Sequence, residues 1–133
     1  MEIFEGIPTL YVSSLVEWRQ WLANNCQTEK AIYLIVYHKK SKVPSVHWHD
    51  AIENALCYGW VDSKAKSRDK ESCYLKFTPR NKKSKWGKKN KERAQKMIAN
   101  GLMTEHGQQL IDWAKDTGKW IRTNTKIIYK FYY

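Results

Sequence analysis

The chain lacks any long hydrophobic run. It has 133 residues and a net charge of +11, and no stretch approaches the roughly 18 apolar residues that a membrane-spanning helix requires. A transmembrane helix is therefore excluded. The first residues, MEIFEGIP, also lack the basic flank and the apolar core of a signal peptide. We therefore expect a cytoplasmic protein.

Cysteine is scarce, and its spacing fits no known motif. Cys26, Cys57 and Cys73 lie 31 and 16 residues apart, which matches neither a metal-ligand pattern nor a redox pattern. We expect reduced thiols that pack as small hydrophobic groups. His47 and His49 are two residues apart on a predicted helix, so their side chains point in different directions and form no metal pair. We therefore predict no metal and no cofactor.

The common catalytic patterns are also missing. The sequence contains no glycine-rich phosphate loop, no nucleophile elbow and no paired carboxylate motif on a helix. These absences favour a protein without enzymatic activity.

Positive charge, by contrast, is abundant and is confined to one segment. Residues 64–96 hold 14 Lys and Arg against three acids, whereas the other 100 residues hold ten of each sign. A neutral body with one cationic segment indicates an anionic partner. Seven tryptophans and 42% apolar residues exclude a disordered polycation, which would lack aromatic side chains.

Hydrophobic periodicity predicts an α+β fold, in which helices pack on a small, mainly antiparallel sheet and a C-terminal αα-hairpin follows. We expect one domain over residues 1–133, made of a sheet-and-helix part (1–79), a basic loop with a helical hairpin (80–118) and an aromatic tail (119–133). The pattern predicts an extended segment at 9–12, strands at 31–38, 60–66 and 73–78, and helices at 15–24, 46–58, 84–100 and 105–117. The large apolar residues predicted to face inward include Trp48, Trp86, Ile98 and Trp113.

The stretch from Arg80 to Lys96 is the most basic part of the chain. It carries nine basic side chains against one acid, Glu92. Like charges at helical spacing cost roughly 0.2–0.5 kcal/mol per pair, and a bound polyanion would reverse that cost. A merely solvated basic face is the alternative. The candidate residues for binding nucleic acid or another polyanion are Arg80, Lys82, Lys83, Lys85, Lys88, Lys89 and Arg93.

Aromatic residues are interleaved with these cations. Tyr74, Phe77 and Trp86 would either stack on unpaired bases or pack in the core. The predicted hairpin at 84–117 also has to be tested as a helix-turn-helix. Its second helix carries mostly acids, which is the wrong sign for a recognition helix in a groove. We therefore predict a plain αα-hairpin, with the loop and helix before it binding mainly phosphates.

A second hypothesis concerns Asp62. A hairpin that is symmetric about residues 69 and 70 pairs Asp62 with Phe77, on a face shared with Trp60. A carboxylate in those surroundings would have a raised pKa unless a nearby donor compensates. The side chain could instead fix the hairpin, or a one-residue slip would turn it to solvent. The residues of this possible ligand pocket or enzyme site are Trp60, Asp62, Phe77 and Trp86, with Arg80 holding an anionic group.

Several blocks of residues 51–118 carry a family resemblance. They are ENALCYGWVDS (53–63), FTPR (77–80) followed by Ser84, Trp86 and NKER (90–93), and IANGLM (98–103). In order and spacing the segment resembles the YdeI/OmpD-associated family, also labelled bacteriocin-protection proteins. The resemblance implies a bacterial cytosolic role in stress or in tolerance of bacteriocins and antimicrobial peptides, without an assigned reaction. Family members usually continue into a further C-terminal helical region, where this chain has IIYKFYY (127–133).

The leading prediction is thus a non-enzymatic module that binds a polyanion, with nucleic acid as the partner. The alternatives are the small-molecule site or enzyme around Asp62, and an interaction protein that docks on an acidic partner or an anionic membrane surface.

Overall fold

The computed structural model describes residues 2–120, which form a five-stranded, mostly antiparallel sheet and four helices, as the α+β prediction requires. The predicted C-terminal tail falls outside the described residues from position 121 onward. The strands are β1 (Ile3–Phe4), β2 (Ile7–Tyr11), β3 (Ile32–Tyr37), β4 (Trp60–Ser67) and β5 (Ser72–Pro79), and the helices are α1 (Leu15–Asn25), α2 (Trp48–Leu56), α3 (Lys88–Ala99) and α4 (Glu105–Asp116).

The sheet has the strand order β1-β2-β3-β5-β4. Only β2 and β3 are parallel, and α1 makes the crossover between them because parallel neighbours cannot be joined by a tight turn. Strand β3 lies at the centre and is buried along nearly its whole length, as its continuous apolar run predicts. Strand β1 was not foreseen from the sequence.

Helices α1 and α2 pack on one face of the sheet and form the larger core. Trp18, Trp60 and Phe77 are completely buried there. Each indole N–H finds an acceptor, since Trp18 donates to the carbonyl of Ala51 (3.0 Å) and Trp60 to that of Cys26 (2.8 Å). Buried indoles need such partners, and these two bonds tie each tryptophan to the neighbouring element.

The N-terminal strand covers the other face of the sheet. The Phe4 ring stacks on Tyr74 with 4.2 Å between centroids and meets Tyr33 edge-on at 5.0 Å. This contact carries the acids Glu2 and Glu5 over the β4–β5 hairpin. They bind cations of that hairpin, as described below.

The αα-hairpin is attached to the end of α2. Thr104 caps α4 by accepting from the amide of Gly107 (3.2 Å), and its own amide donates to the carbonyl of Cys57 (3.2 Å). A Cβ atom on Gly107 would lie 2.3 Å from that carbonyl oxygen, so the close approach of the two helices requires glycine. A second core forms between these helices, with Leu56, Trp86, Ala94, Ile111 and Ala114 buried in it.

Helix α3 begins at Lys88, four residues later than predicted. Trp86 explains the difference, because its side chain is buried in the second core and its amide donates to the carbonyl of Lys119 (2.9 Å). These contacts hold residues 85 and 86 in a loop, so Lys85 does not share a helical face with Lys88.

Three residues predicted to face inward are exposed: Trp48 by 44%, Ile98 by 39% and Trp113 by 50%. Trp48 is the first residue of α2, and its ring lies against His49 rather than in the larger core. In α4 the apolar pattern is compatible with burial of either of two adjacent helix faces. The contact with Cys57 buries the face that contains Gly107, Ile111 and Ala114. Helical spacing narrows the buried face but does not choose between such neighbours.

Candidate polyanion interface

The basic surface consists of the cations of the loop 80–87 and of the first turn of α3: Arg80, Lys82, Lys83, Lys85, Lys88 and Lys89. The loop is held at both ends. The Arg80 amide donates to the carbonyl of Gly59 (2.8 Å), and the Trp86 amide donates to that of Lys119 (2.9 Å). Between these anchors, the Asn81 side chain accepts from the Lys83 amide (2.9 Å). The backbone that carries these cations is therefore fixed by hydrogen bonds.

Arg80 is held by two contacts within the basic surface. Its guanidinium carbon lies 3.8 Å above the Trp86 ring, and Nη2 donates to the carbonyl of Lys85 (3.0 Å). Among the described residues its buried Nε has no acceptor, and burial lowers the pKa of this guanidinium. An arginine has five N–H donors and remains charged at neutral pH. Held over an indole with Nε buried, it has the N–H groups of its terminal nitrogens that do not bond to Lys85 left for a phosphate or carboxylate.

Lys82 lies beside an exposed aromatic ring. Its Nζ is 5.6 Å from the centroid of Trp113, half of whose surface is open to solvent. The aromatics that the sequence singled out for stacking, Tyr74, Phe77 and Trp86, are all buried. The stacking surface available beside the basic loop is therefore Trp113, a residue whose helical spacing had indicated the core.

The first turn of α3 concentrates positive charge at a helix N-terminus. The N-cap is Gly87, which has no side chain to accept from the free amides, and the first turn contains no acid. Exposed Lys88 and Lys89 add their charges to the positive end of the helix dipole. This arrangement is unfavourable in the free protein and becomes favourable when an anion binds.

Two further lysines gather behind the loop. Lys91 is 94% buried as a residue, with Nζ 6.0 Å from the Trp120 ring, and Lys115 Nζ lies 5.2 Å from the same ring. Trp120 is in turn 5.1 Å from Trp86, on which Arg80 lies. The indole pair of Trp86 and Trp120 thus has three cations beside it: Arg80, Lys91 and Lys115. Arg93, the remaining predicted residue, is half-buried and donates to Asn90 of its own helix (3.0 Å).

Ion pairs engage three cations of the segment that lie outside the basic surface. In the part of the chain that the structure describes, carboxylates within 4.0 Å reach Lys64, Arg68 and Lys96, but none of the six cations of the basic surface. Residues 121–133 contain three basic and no acidic side chains. The basic surface therefore keeps its charge.

The structure divides the second predicted site between the two cores. Asp62 pairs with Phe77 across the hairpin, as predicted, and a register shift follows between Asp62 and Lys64. Trp60 and Phe77 are completely buried in the larger core, whereas Trp86 lies in the second. Asp62 is half-buried. The four side chains are therefore not brought together around one cavity.

The cysteines show no sign of activation. Cys26, Cys57 and Cys73 are free, and burial raises the pKa of each thiol. At Cys57 a hydrogen bond with Arg19 opposes that effect without reversing it. Within residues 2–120 no group of three or more His, Cys, Asp or Glu side chains is placed to hold a metal ion.

The comparisons with known proteins identify the family. Residues 10–110 match the model of the family described as Domain of unknown function (DUF8412). The chain belongs to this family. No curated protein and no solved structure matches it. The resemblance to YdeI/OmpD-associated proteins stays a prediction. Across residues 2–120, none of the helices is both long enough and apolar enough to traverse a bilayer.

Proposed function

We propose that this DUF8412 member is a non-enzymatic module that binds a polyanion, with nucleic acid as the partner, through the basic surface. Arg80 would bind one phosphate through its guanidinium group, and the neighbouring lysines would contact further phosphates along the backbone of the ligand. Most of these side chains are not held in place by hydrogen bonds within the described part of the protein. We therefore expect them to contact phosphates rather than to read the edges of bases in a duplex groove.

The absence of compensating acids carries this proposal. Six cations lie within ten consecutive residues, on a loop and a helix terminus fixed by backbone hydrogen bonds, and none has a carboxylate partner among the described residues. Placing like charges together destabilises the free protein unless an anion is bound. Binding of a polyanion would release condensed counterions and so contribute most of the affinity.

Trp113 favours a ligand with unpaired bases. An exposed aromatic ring beside a cationic loop is the combination found where single strands bind, and stacking contributes roughly 1–3 kcal/mol per base. Asp112 and Asp116 of α4 lie near Trp113 in sequence and would repel phosphates. We therefore expect a base of the ligand to stack on Trp113 of α4 and the phosphates of the ligand to lie along the basic loop. The link to bacteriocin tolerance rests on the family resemblance alone.

The experiment is an electrophoretic mobility shift with single-stranded DNA, single-stranded RNA and duplex DNA at 50 and 200 mM salt. With four to six phosphates engaged, the affinity for single strands should fall about 50- to 300-fold between the two concentrations, since each contact contributes about −0.7 to the log–log slope. Binding that does not depend on salt, or no binding to either nucleic acid, would contradict the proposal. The second of these outcomes would leave an acidic protein as the better partner.

A further inference from the structure

A cavity of about 470 Å³ lies on the larger-core face of the sheet, near the start of β5. The basic surface begins at Arg80, after the last residue of that strand. The cavity is therefore a separate feature, and neither the predicted ligand pocket nor the proposed function uses it. Its size is within the range of roughly 300–1,000 Å³ that is usual for small-molecule sites.

The sheet register builds an apolar floor for this cavity. Val36 pairs with Cys73 across β3 and β5, and Leu75 pairs with Ala65 across β5 and β4. Because alternate residues of a strand share a face, the four side chains point to the same side. Val36 and Leu75 are more than nine-tenths buried, whereas Ala65 is exposed at the mouth.

Aromatic rings at the start of α2 form the wall. Trp48 and His49 lie with 3.6 Å between ring centroids, and Trp48 is 44% exposed. His47 caps the helix by accepting from the His49 amide at Nδ1 (3.3 Å). Its Nε2 is therefore the ring nitrogen left to donate a hydrogen bond. A flat apolar ligand could lie between this wall and the floor.

The charge around the cavity favours an anion. Lys39 is the full cation among the lining residues, His38 lies beside it, and no carboxylate belongs to the lining. The nearby acid Glu71 lies outside the lining, and its carboxylate accepts from the Ser41 hydroxyl (3.3 Å).

We infer that this cavity binds a small planar aromatic carboxylate. The ring of the ligand would lie on Val36 and Leu75 against Trp48, and its carboxylate would accept from Lys39 and from an imidazole N–H. Such a pocket combines a mostly apolar lining with a few polar groups that orient the ligand, as small-molecule sites usually do. The inference does not depend on nucleic-acid binding.

The test is a ¹H–¹⁵N NMR titration of the full chain with naphthalene-2-carboxylate, compared with the neutral naphthalene-2-carboxamide. We expect saturable shifts at Tyr37–Lys39, at Trp48 and His49, and at Cys73–Leu75. The carboxylate should bind about two- to five-fold more tightly than the amide, which corresponds to one solvent-screened charge contact. Shifts confined to other residues, no saturation, or equal affinity for the two probes would overturn the inference.

Two pairs of variants sharpen the result. Ala65→Phe fills the mouth from an exposed position and should weaken binding at least ten-fold, whereas Ser63→Phe, on an exposed part of the same strand outside the lining, should not. Lys39→Ala should weaken the carboxylate but not the amide, and Lys42→Ala should weaken neither. Unchanged binding by Ala65→Phe, or an equal effect of the two lysines, would refute the site. The wild-type titration decides the question if a variant does not fold.

Discussion

The two halves of the basic segment are both rich in cations but differ in the acids that the fold places beside them. In the β4–β5 hairpin, Lys64 lies 3.1 Å from a carboxylate oxygen of Glu5, and Arg68 lies 3.0 Å from one of Glu2. In the loop and first turn of α3, no described carboxylate approaches Arg80 or the lysines of the basic surface. Two of the five hairpin cations hold the N-terminal strand in this way, whereas the six cations of the loop and the first turn of α3 have no such partner among the described residues.

The contrast shows why a count of charges overstates a binding surface. Residues 64–96 hold the net charge of the chain, but part of that charge fixes the protein to itself. Glu2 also accepts from the Tyr74 hydroxyl, so one acid joins an aromatic and a cation of the same hairpin. The six cations of the loop and of the first turn of α3, by contrast, have no carboxylate partner among the described residues. The proposed ligand is recognised there.

Reversing charge in each half should give the largest difference. The variant Lys82→Glu, Lys83→Glu, Lys85→Glu should lose on the order of 100-fold in affinity for single-stranded DNA at 50 mM salt, and its log–log salt slope should fall by about 2, because roughly three phosphate contacts are removed. Filter binding at several salt concentrations measures both quantities.

The matched control makes the same charge change in the hairpin, as Lys64→Glu, Lys66→Glu, Lys70→Glu. It should weaken binding less than about ten-fold and leave the slope nearly unchanged, since distant charges act only through the screened field. Equal losses in the two triple variants would show that binding follows net charge alone, and the distinction between the halves would fail.

A smaller difference is expected from the exposed tryptophans. Trp113→Ala should lower affinity for single-stranded DNA about 5- to 100-fold, which corresponds to the roughly 1–3 kcal/mol of one stacked base. Trp48→Ala, also exposed and also on a helix, should change it less than about two-fold because Trp48 lies outside the basic surface. Fluorescence anisotropy with a labelled strand measures both variants. Equal losses of affinity in Trp113→Ala and Trp48→Ala would show that Trp113 does not stack on the ligand.

The smallest effect concerns acid stability. Hydrogen bonds from Arg68 and Tyr74 hold the pKa of Glu2 below its ordinary value of 4.5. A depressed pKa in the folded state contributes stability above pH 4.5, and that contribution is lost as the pH falls through the folded value. Glu2 is 38% exposed, so solvent screening limits its contribution to about 0.2–1 kcal/mol.

The melting temperature of Glu2→Gln should therefore lie a little below that of the wild type at pH 7, and the two should converge as the pH falls through the lowered pKa of Glu2. Lys83→Gln, which removes a loop cation without a partner, should not show this pH-dependent difference. Thermal unfolding followed by circular dichroism at pH 7, 5 and 3 measures it. A constant gap for Glu2→Gln across the three values would contradict the role given to its ionised form.

Local patterns predicted much of this structure correctly. Helix α1, strand β3 and the hairpin were placed within a residue or two of their observed ends, and the pairing of Asp62 with Phe77 followed from the symmetry of a short turn. Helix α4, predicted over 105–117, also begins where expected, with Thr104 as its cap. Interactions between residues close in sequence decide these features.

The predictions that failed depended on contacts between distant residues. Burial of Trp86 shortened α3, and the approach of α4 to Cys57 turned Trp113 outward. The cavity at the start of β5 likewise arises from strands and a helix that are far apart along the chain. A periodic pattern could not reveal it, because no single segment contains its floor, wall and charge.

The sequence by itself determined the α+β class, the position of the cationic segment and the excess of positive charge, because these depend on composition and on local spacing. The tertiary structure alone decided which cations are neutralised and which aromatic is exposed. Glu2 and Arg68 are 66 positions apart, and only the fold brings them within hydrogen-bonding distance. Each residue type brings its own charge, but whether that charge is free to bind a ligand depends on the groups that the fold places beside it.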